Sequence, residues 1–167
     1  MDTHGGYEWK AQAYRRAVTT ARAELPRIAV AVDVAIFSMR DERPVVALVE
    51  RGNQPFQGML ALPGGFVEEA EGLAQAASRE LAEETGIVVP ARSLTQLGAF
   101  GAPHRDPRMR VVSIVFWAFV EGVADPVGGS DAAASRLVTV DDALGDRLDL
   151  AFDHRQILHE AWEATLR

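Results

Sequence analysis

The sequence predicts an α/β domain in which one mixed β-sheet is covered by helices on both sides. Strand-like runs alternate with helical stretches along the chain, and this order is typical of a sheet with helices packed on its two faces. The run at 110–121, RVVSIVFWAFVE, is almost continuously apolar, which is the pattern of a strand buried on both faces. With 167 residues, 48% of them hydrophobic, the chain is long enough to bury the core of such a domain.

The strands are predicted from β-rich runs that lie between turn signals. We expect them at residues 27–39, 44–50, 60–62, 92–101 and 110–121. The short run at 60–62 breaks into the turn Pro63-Gly64-Gly65, where glycine allows backbone carbonyls to approach a ligand closely. A loop over 128–140, GGSDAAASRLVTV, is expected after the last strand.

The two ends of the chain are predicted to be helical. Between residues 7 and 25 apolar side chains recur at steps of four and three, and Pro26 ends the pattern. The last helix begins with Asp153 as N-cap and Gln156 three residues later, the spacing of a capping box. We therefore expect an N-terminal helical extension over 1–26 beside one domain over 27–167. The extension is predicted to pack on the domain or on a twin subunit, and a homodimer is expected.

The most informative stretch is 65–87, GFVEEAEGLAQAASRELAEETGI. At about 100° per residue, its helical wheel puts Glu80 and Glu84 on the same face as Leu73, Ala76 and Ala77, so these carboxylates continue the apolar row and point inward. Like charges four residues apart repel, which calls for a compensating cation. Magnesium, which prefers carboxylate and phosphate oxygens, suits this position.

The other reading of the stretch is a solvated acidic helix with ordinary salt bridges. Two further features favour a site. Arg79 lies one turn before Glu83, where it can hold that carboxylate, although one guanidinium cannot satisfy the whole cluster. Gly86 follows the last periodic residue, where a left-handed cap favours glycine, so the helix is predicted to end directly after its glutamates.

The spacing of Gly65, Glu71, the run Arg79-Glu80-Leu81, the pair Glu83-Glu84 and the pair Gly86-Ile87 fills every position of the Nudix box. The chain therefore resembles the Nudix hydrolases, which cleave a nucleoside diphosphate linked to another group. The resemblance implies an α/β/α sandwich from about Arg27 onward.

It also implies roles for the box residues, with Mg²⁺ as the cation and Mn²⁺ as a possible substitute. Glu80 and Glu84 are expected to be primary metal ligands, joined by a carbonyl of the turn at Gly65. Glu83 is a further ligand or the base that activates water, Glu71 binds through water or braces Arg79, and Arg79 orients the carboxylates.

Some relatives take their base from a later loop, where a glutamate and a tryptophan are common. This chain has Ala134 and Leu137 in that loop instead. Asp131 and Glu121 remain as the extra acidic candidates.

Residues 98–112, GAFGAPHRDPRMRVV, resemble the ADP-ribose pyrophosphatase branch of the family. Arg105 and Arg108 are predicted to contact a diphosphate or ribose, and Phe100 to stack on adenine. Arg51 and the turn at Gly64 and Gly65 are further candidate substrate contacts. The alternative is a strand connection whose arginines are solvated.

The predicted function is metal-dependent hydrolysis of ADP-ribose to AMP and ribose 5-phosphate. The alternatives are a non-catalytic ADP-ribose sensor, or a Nudix enzyme acting on NADH, nucleotide sugars, dinucleoside polyphosphates or oxidised nucleoside triphosphates. A formal charge of -7 disfavours a nucleic acid partner, and a DNA-binding sensor would need a basic module that these residues do not supply.

Without an apolar run of about 18 residues, or the apolar centre of a signal peptide, we expect no membrane partner and a cytoplasmic protein. With no cysteine, disulfides and thiolate chemistry are excluded.

Overall fold

The structure is a computed structural model that describes residues 26–126 and 132–167. Its strands are β1 (Ala29–Arg40), β2 (Arg43–Arg51), β3 (Leu60–Ala61), β4 (Gly64–Phe66), β5 (Thr95–Phe100), β6 (Val111–Phe119) and β7 (Ala132–Thr139). Its helices are α1 (Leu73–Thr85), α2 (Val140–Leu144) and α3 (His154–Thr165), with a short 3-10 helix at Ala91–Ser93. The predicted helix at 7–25 lies outside the described residues, so it and the boundary at residue 26 stay predictions.

The strands join one sheet, in which five follow the order β3-β2-β1-β6-β5. β4 also pairs with β1, and β7 with β2. The β1–β6 pair is parallel, with Ala29 opposite Val111 and Phe37 opposite Phe119. The other pairs, such as β1–β2 and β5–β6, are antiparallel. The sheet is therefore mixed, as predicted, and the apolar run at 110–121 forms the interior strand β6.

Helices cover both faces of the sheet because side chains along each strand alternate between two apolar cores. On β1, Val32, Val34 and Ile36 pack into the core that contains α1. Ala35 and Phe37 point the other way and pack with α2 and α3. The predicted α/β/α sandwich is confirmed. No helix among the described residues is long and apolar enough to cross a membrane.

The prediction of a loop over 128–140 is wrong for most of its length. Residues 132–139 form β7, which pairs antiparallel with β2 from Val45 to Arg51. Its alanine-rich sequence gives little local signal for a strand, so the pairing with β2 determines its conformation. Ala134 and Leu137 consequently lie in the sheet, opposite Glu50 and Ala47.

The predicted capping box of the last helix is also wrong. Asp153 occupies the N-cap position of α3 but makes no capping hydrogen bond, because both carboxylate oxygens accept hydrogen bonds from Arg105. Gln156 donates to Glu160 over 3.0 Å. A bidentate pair with a guanidinium engages both carboxylate oxygens at once, so neither oxygen of Asp153 is directed at the helix end.

Candidate active site

Helix α1 carries most of the predicted site, and local hydrogen bonds fix both its ends. At its start the backbone N–H of Gly72 donates to Gln75 Oε1 over 2.9 Å. At its end Gly86 has a φ of 71°, in the left-handed region, and its N–H donates to the Ala82 carbonyl over 2.9 Å. The predicted cap is confirmed, and it leaves the glutamates at 80–84 in the last turns of the helix.

Arg79 lies at the centre of a cluster of three glutamates. Its Nε and Nη2 donate to the two carboxylate oxygens of Glu71 over 3.0 and 2.7 Å. Its Nη1 donates to Glu80 over 2.8 Å and to Glu83 over 3.2 Å. The Arg79 hydrogen bonds lower the pKa of Glu71. Because Arg79 also reaches the Phe66 carbonyl at 3.3 Å, one guanidinium links α1 to the end of β4.

Glu80 and Glu84 point toward the protein interior, as the helical periodicity predicts. Burial raises the pKa of Glu84 to about 7 and also raises the pKa of Glu80. Glu84 Oε2 accepts the backbone N–H of Gly64 over 2.9 Å. A Cβ at position 65 would lie 2.3 Å from Glu80 Oε1, so Gly65 is needed to leave room for this carboxylate.

The predicted turn at Gly64 and Gly65 is instead the start of strand β4, which pairs with β1, and a cleft beside it brings together residues that are distant in sequence. Its lining includes Gly64, Glu84, Arg51 and Arg108. Burial and the positive charge of Arg108 lower the pKa of Arg51. Arg108 Nη2 donates to Asp106 Oδ2 over 2.7 Å, and this pairing lowers the pKa of Asp106. The cleft lining therefore combines the carboxylate of Glu84 with the guanidinium groups of Arg51 and Arg108. Guanidinium groups are well suited to bind phosphates.

Arg105, a predicted substrate contact, also lines the cleft but is held by two internal carboxylates. Its Nε and Nη2 donate to Asp153 over 2.9 and 2.6 Å, and Nη2 lies 3.3 Å from Asp33 Oδ2. The Arg105 side chain is 5% exposed, whereas that of Arg108 is 44% exposed. Arg105 therefore has structural partners that the sequence did not reveal, and Arg108 is the more accessible arginine.

Asp33 is the residue that sequence reasoning missed at this point. Ser113 Oγ donates to Asp33 Oδ2 over 2.5 Å, and His154 Nε2 lies 3.5 Å from Asp33 Oδ1. His154 Nδ1 accepts the backbone N–H of Leu62 over 2.9 Å, so the proton of a neutral ring is on Nε2, facing Asp33. A lone carboxylate inside the apolar strand AVAVDVAIF was the available signal, because a buried charge needs partners.

Two of the predicted residues lie away from the cleft. Phe100 ends β5, lines a separate groove beside α3 and packs against the core on that side. Glu121 follows the end of β6 that is remote from Val111, the residue of β6 in the cleft lining. Asp131 lies outside the described residues. Arg79 and its partners Glu71, Glu80 and Glu83 are not in the cleft lining either, but Gly65, which lines the cleft, lies directly against Glu80.

The glutamates of α1 fit the chemistry of a divalent cation. Glu80 and Glu84 offer hard oxygen ligands, and their raised pKa values show that burial disfavours their charge unless a cation compensates. Glu83, the predicted third ligand, has a side chain that is 56% exposed. Within residues 26–126 and 132–167, no three His, Cys, Asp or Glu side chains already converge as a chelating group; Arg79 and the Gly64 N–H engage these carboxylates instead.

A family model for the NUDIX domain matches residues 27–161. The chain belongs to this family. The ADP-ribose pyrophosphatase of Methanocaldococcus jannaschii is 41% identical to this Nudix protein over 127 residues, which cover 76% of this chain and 71% of that protein. An ADPR-responsive transcriptional repressor of Acinetobacter baylyi is 36% identical over 143 residues, which cover 84% of this chain and 56% of the repressor.

The Nudix fold is also shared with a solved structure that contains a nucleotide. The NUDIX domain of Shewanella oneidensis NrtR, crystallised with ADP ribose, superposes with a TM-score of 0.78 at 32% identity, covering 86% of this chain and 92% of that domain. These matches confirm the predicted family and support its classification as a Nudix pyrophosphohydrolase. Nudix hydrolases generally use divalent metals, in agreement with the acidic end of α1. The role of each site residue stays a prediction.

Proposed function

We propose that this Nudix protein is a hydrolase that uses Mg²⁺, with Mn²⁺ as a substitute, to cleave ADP-ribose into AMP and ribose 5-phosphate. The observation that carries the proposal is the cleft in which Glu84 and Gly64 of β4 share a lining with Arg51 and Arg108. Diphosphate cleavage requires neutralised phosphate oxygens and an activated water. The pyrophosphatase from Methanocaldococcus jannaschii supports ADP-ribose as the substrate.

Within this proposal each residue at the end of α1 has a task. Glu80 and Glu84 would be the primary metal ligands, joined by a carbonyl of Gly65, and Glu83 would be either a further ligand or the base that activates water. A cation held there would neutralise phosphate oxygens and lower the pKa of a water. Arg79 holds Glu80 and Glu83 through its Nη1. Glu83, which is exposed, is the candidate base for the proton of the attacking water.

The ligand's phosphates are assigned to the arginines of the cleft. Arg108 is exposed on one side and paired with Asp106 on the other, so it keeps free donors for an anion. Arg51 donates its Nε to the Pro55 carbonyl over 2.8 Å; among the residues that the structure describes, its two terminal nitrogens donate no hydrogen bond and can serve a ligand.

The test is a hydrolysis panel over ADP-ribose, NADH, a nucleotide sugar, a dinucleoside polyphosphate and an oxidised nucleoside triphosphate. Each compound is incubated with Mg²⁺, with Mn²⁺ and with EDTA, and the products are identified by chromatography. We expect AMP and ribose 5-phosphate from ADP-ribose with the highest kcat/KM, and no products in EDTA. Faster cleavage of another compound would move the substrate assignment to that compound.

A second candidate function, an ADP-ribose sensor, is favoured by the similarity to the repressor from Acinetobacter baylyi. A sensor would bind ADP-ribose without releasing AMP in either metal. The proposed absence of a nucleic acid partner rests on the net charge of -7 and is checked in the same preparations by a mobility-shift assay with duplex DNA.

We further propose a cytoplasmic homodimer in which the segment 1–26 contributes to association. Light scattering on the full chain and on a form lacking residues 1–25 tests this proposal. Equal mass per particle in both forms would remove the segment as the dimer element.

A further inference from the structure

Phe152 lies in the cleft lining, and no sequence motif or step of the proposed reaction accounts for it. Its backbone φ is 53°, in the left-handed region that a bulky residue rarely adopts. It directly follows Ala151, whose backbone N–H donates to the Leu60 carbonyl over 2.8 Å. Strained conformations of this kind persist where the surroundings hold them, and they cluster at functional sites.

Two guanidinium groups lie over the ring of Phe152. Arg51 Cζ is 4.7 Å from the ring centroid, and Arg108 Cζ is 5.9 Å from it. Both distances are within the range of about 6 Å in which an aromatic face attracts a cation. The two arginines come from β2 and from the segment before β6, so Phe152 is the aromatic contact that they share.

The ring is fixed by its other neighbours. Phe56 packs edge-on against Phe152 with the centroids 4.8 Å apart, and the ring of His154 lies 5.3 Å away. His154 is buried and anchored to the Leu62 N–H. Phe152 therefore has a defined orientation that depends on the core behind it.

Two like charges in one cleft repel each other unless something compensates. Burial, and after it the positive charge of Arg108, lowers the pKa of Arg51; the second of these causes is the repulsion between the two guanidinium groups. An aromatic face attracts both cations through its quadrupole, whereas an aliphatic side chain of the same size would not. The ring thus helps to hold two guanidinium groups close together before any anion arrives.

We infer that Phe152 is a positioning residue that presents Arg51 and Arg108 together to the diphosphate of one ligand. The inference rests on the proposed function for the identity of that ligand. It predicts that Phe152 contributes to binding before bond cleavage, and so acts on KM rather than on kcat.

The experiment compares the full-length wild type with three variants at this position. Phe152→Leu keeps the apolar volume but removes the ring, and Phe152→Tyr keeps the ring. Phe152→Gly also removes the ring but accepts the positive φ without strain, so it serves if the leucine variant does not fold. Phe56→Leu keeps the Phe152 ring in the cleft but removes its edge-on partner, so it measures how much of any loss comes from aromatic packing alone.

Two readouts are taken on each protein. Steady-state kinetics with ADP-ribose and Mg²⁺ gives kcat and KM. Calorimetric titration in EDTA gives Kd for ADP-ribose and for inorganic pyrophosphate without turnover. We expect Phe152→Leu and Phe152→Gly to raise KM and both Kd values about tenfold, with kcat within about twofold. Phe152→Tyr and Phe56→Leu should stay within about threefold of the wild type in all of these.

Unchanged Kd values in folded Phe152→Leu or Phe152→Gly would overturn the inference. An equal loss in Phe56→Leu would also overturn it, since aromatic packing alone would then explain the effect. The inference would also be overturned if the wild type bound neither ADP-ribose nor pyrophosphate. The proposed hydrolysis fails separately, if the wild type binds ADP-ribose but releases no AMP with either metal, and the calorimetric comparison then still decides the role of Phe152.

Discussion

Arg105 and Asp153 form a bidentate ion pair that fastens the segment before β6 to the start of α3. The two N–O distances are 2.6 and 2.9 Å. The same guanidinium reaches Asp33 of β1 at 3.3 Å, so three parts of the chain meet at one buried cation. This arrangement changes what substitutions of Arg105 are expected to do, because a structural role now accompanies the predicted contact with substrate.

Replacing Arg105 with alanine is expected to lower the free energy of unfolding by about 3 kcal/mol, since removing one partner leaves the buried carboxylate of Asp33 and the partly buried carboxylate of Asp153 without this cation. Urea denaturation followed by circular dichroism measures the change. Arg147→Ala is the control, because Arg147 and its partner Asp142 have side chains that are 85% and 43% exposed, and it should cost less than about 1 kcal/mol. Similar losses in the two variants would contradict the structural role of Arg105.

The two glycines of β4, Gly64 and Gly65, are expected to respond differently to alanine. At position 65 the new Cβ would meet the Glu80 carboxylate at 2.3 Å, a side chain that can swing aside. At position 64 it would meet the Val32 carbonyl oxygen at 2.2 Å, which is backbone and cannot move alone. Gly65→Ala should therefore mainly reduce turnover, by about tenfold or more, through a displaced metal ligand.

Gly64→Ala should instead lower the free energy of unfolding by about 2 kcal/mol, as overpacked sites do. Gly98→Ala is the control for both, because nothing lies within 4 Å of a Cβ built there. Thermal melts and ADP-ribose turnover on the three variants separate the two effects. A Gly65→Ala protein that keeps full turnover would show that Glu80 does not need its present position.

Glu84→Gln is expected to lower turnover by about two to four orders of magnitude while the fold is retained, because charge is removed from the metal site. Turnover of ADP-ribose under saturating Mg²⁺ is the measurement. Activity close to the wild type in a folded Glu84→Gln protein would exclude Glu84 from the essential ligands.

The same substitution should stabilise the metal-free protein. Burial raises the pKa of Glu84 to about 7, so its ionisation costs folded-state stability as the pH rises above the ordinary value of 4.5. A neutral glutamine avoids that cost, and we expect a gain of about 1–3 kcal/mol at pH 8 in EDTA. Glu83→Gln, at an exposed position, should change stability by less than about 0.5 kcal/mol.

His154 predicts a specific pH dependence of stability. Burial lowers the pKa of His154 below 6.5, and the positive charges of Arg105 and Arg51 lower it further. The negative charges of Asp33 and Asp153 oppose this shift. The unfolded chain therefore binds a proton near pH 6.5 that the folded protein excludes. As the pH falls below that value, the free energy of unfolding should fall, by at most about 1.4 kcal/mol per pH unit for this one group.

His154→Asn isolates this contribution, because its side-chain oxygen can replace Nδ1 as acceptor for the Leu62 N–H and does not titrate. Urea denaturation at half-unit steps from pH 5 to 8 is compared for the two proteins. Their difference in stability should be constant above about pH 7.5 and should shrink steadily below about 6.5. Parallel pH profiles would assign the acid sensitivity to other groups.

The position and the inward face of α1 could be predicted from periodicity and spacing, because both depend only on residues that are close in sequence. The face shared by Ala76, Ala77, Glu80 and Glu84 follows from 3.6 residues per turn, and Gly86 marks the end of the helix. The strand positions follow in the same way from apolar runs bounded by turns. The outer strand β7 was missed because its pairing with β2 is a tertiary effect, and residues 132–139 carry little strand propensity of their own.

The interior of the cleft was less predictable because its contacts join distant positions. Asp33, Arg105 and Asp153 belong to three separate segments, and nothing near any of them in sequence identifies the others. Phe152 is a single aromatic residue at the junction before α3, and its arginine neighbours come from β2 and from the segment before β6. Motif spacing finds residues that share one helix, but it cannot find residues that the sheet brings together.

The parallel pairing of β1 with β6 has a kinetic consequence. The pairing of Ala29 with Val111 and of Phe37 with Phe119 closes a loop that contains the whole stretch of chain from β2 to β5. Closing this loop costs conformational entropy. Contacts of such long range slow folding. During synthesis, β1 leaves the ribosome well before β6 has been made. The edge of β1 that pairs with β6 therefore stays unpaired until the chain has been synthesised as far as Phe119.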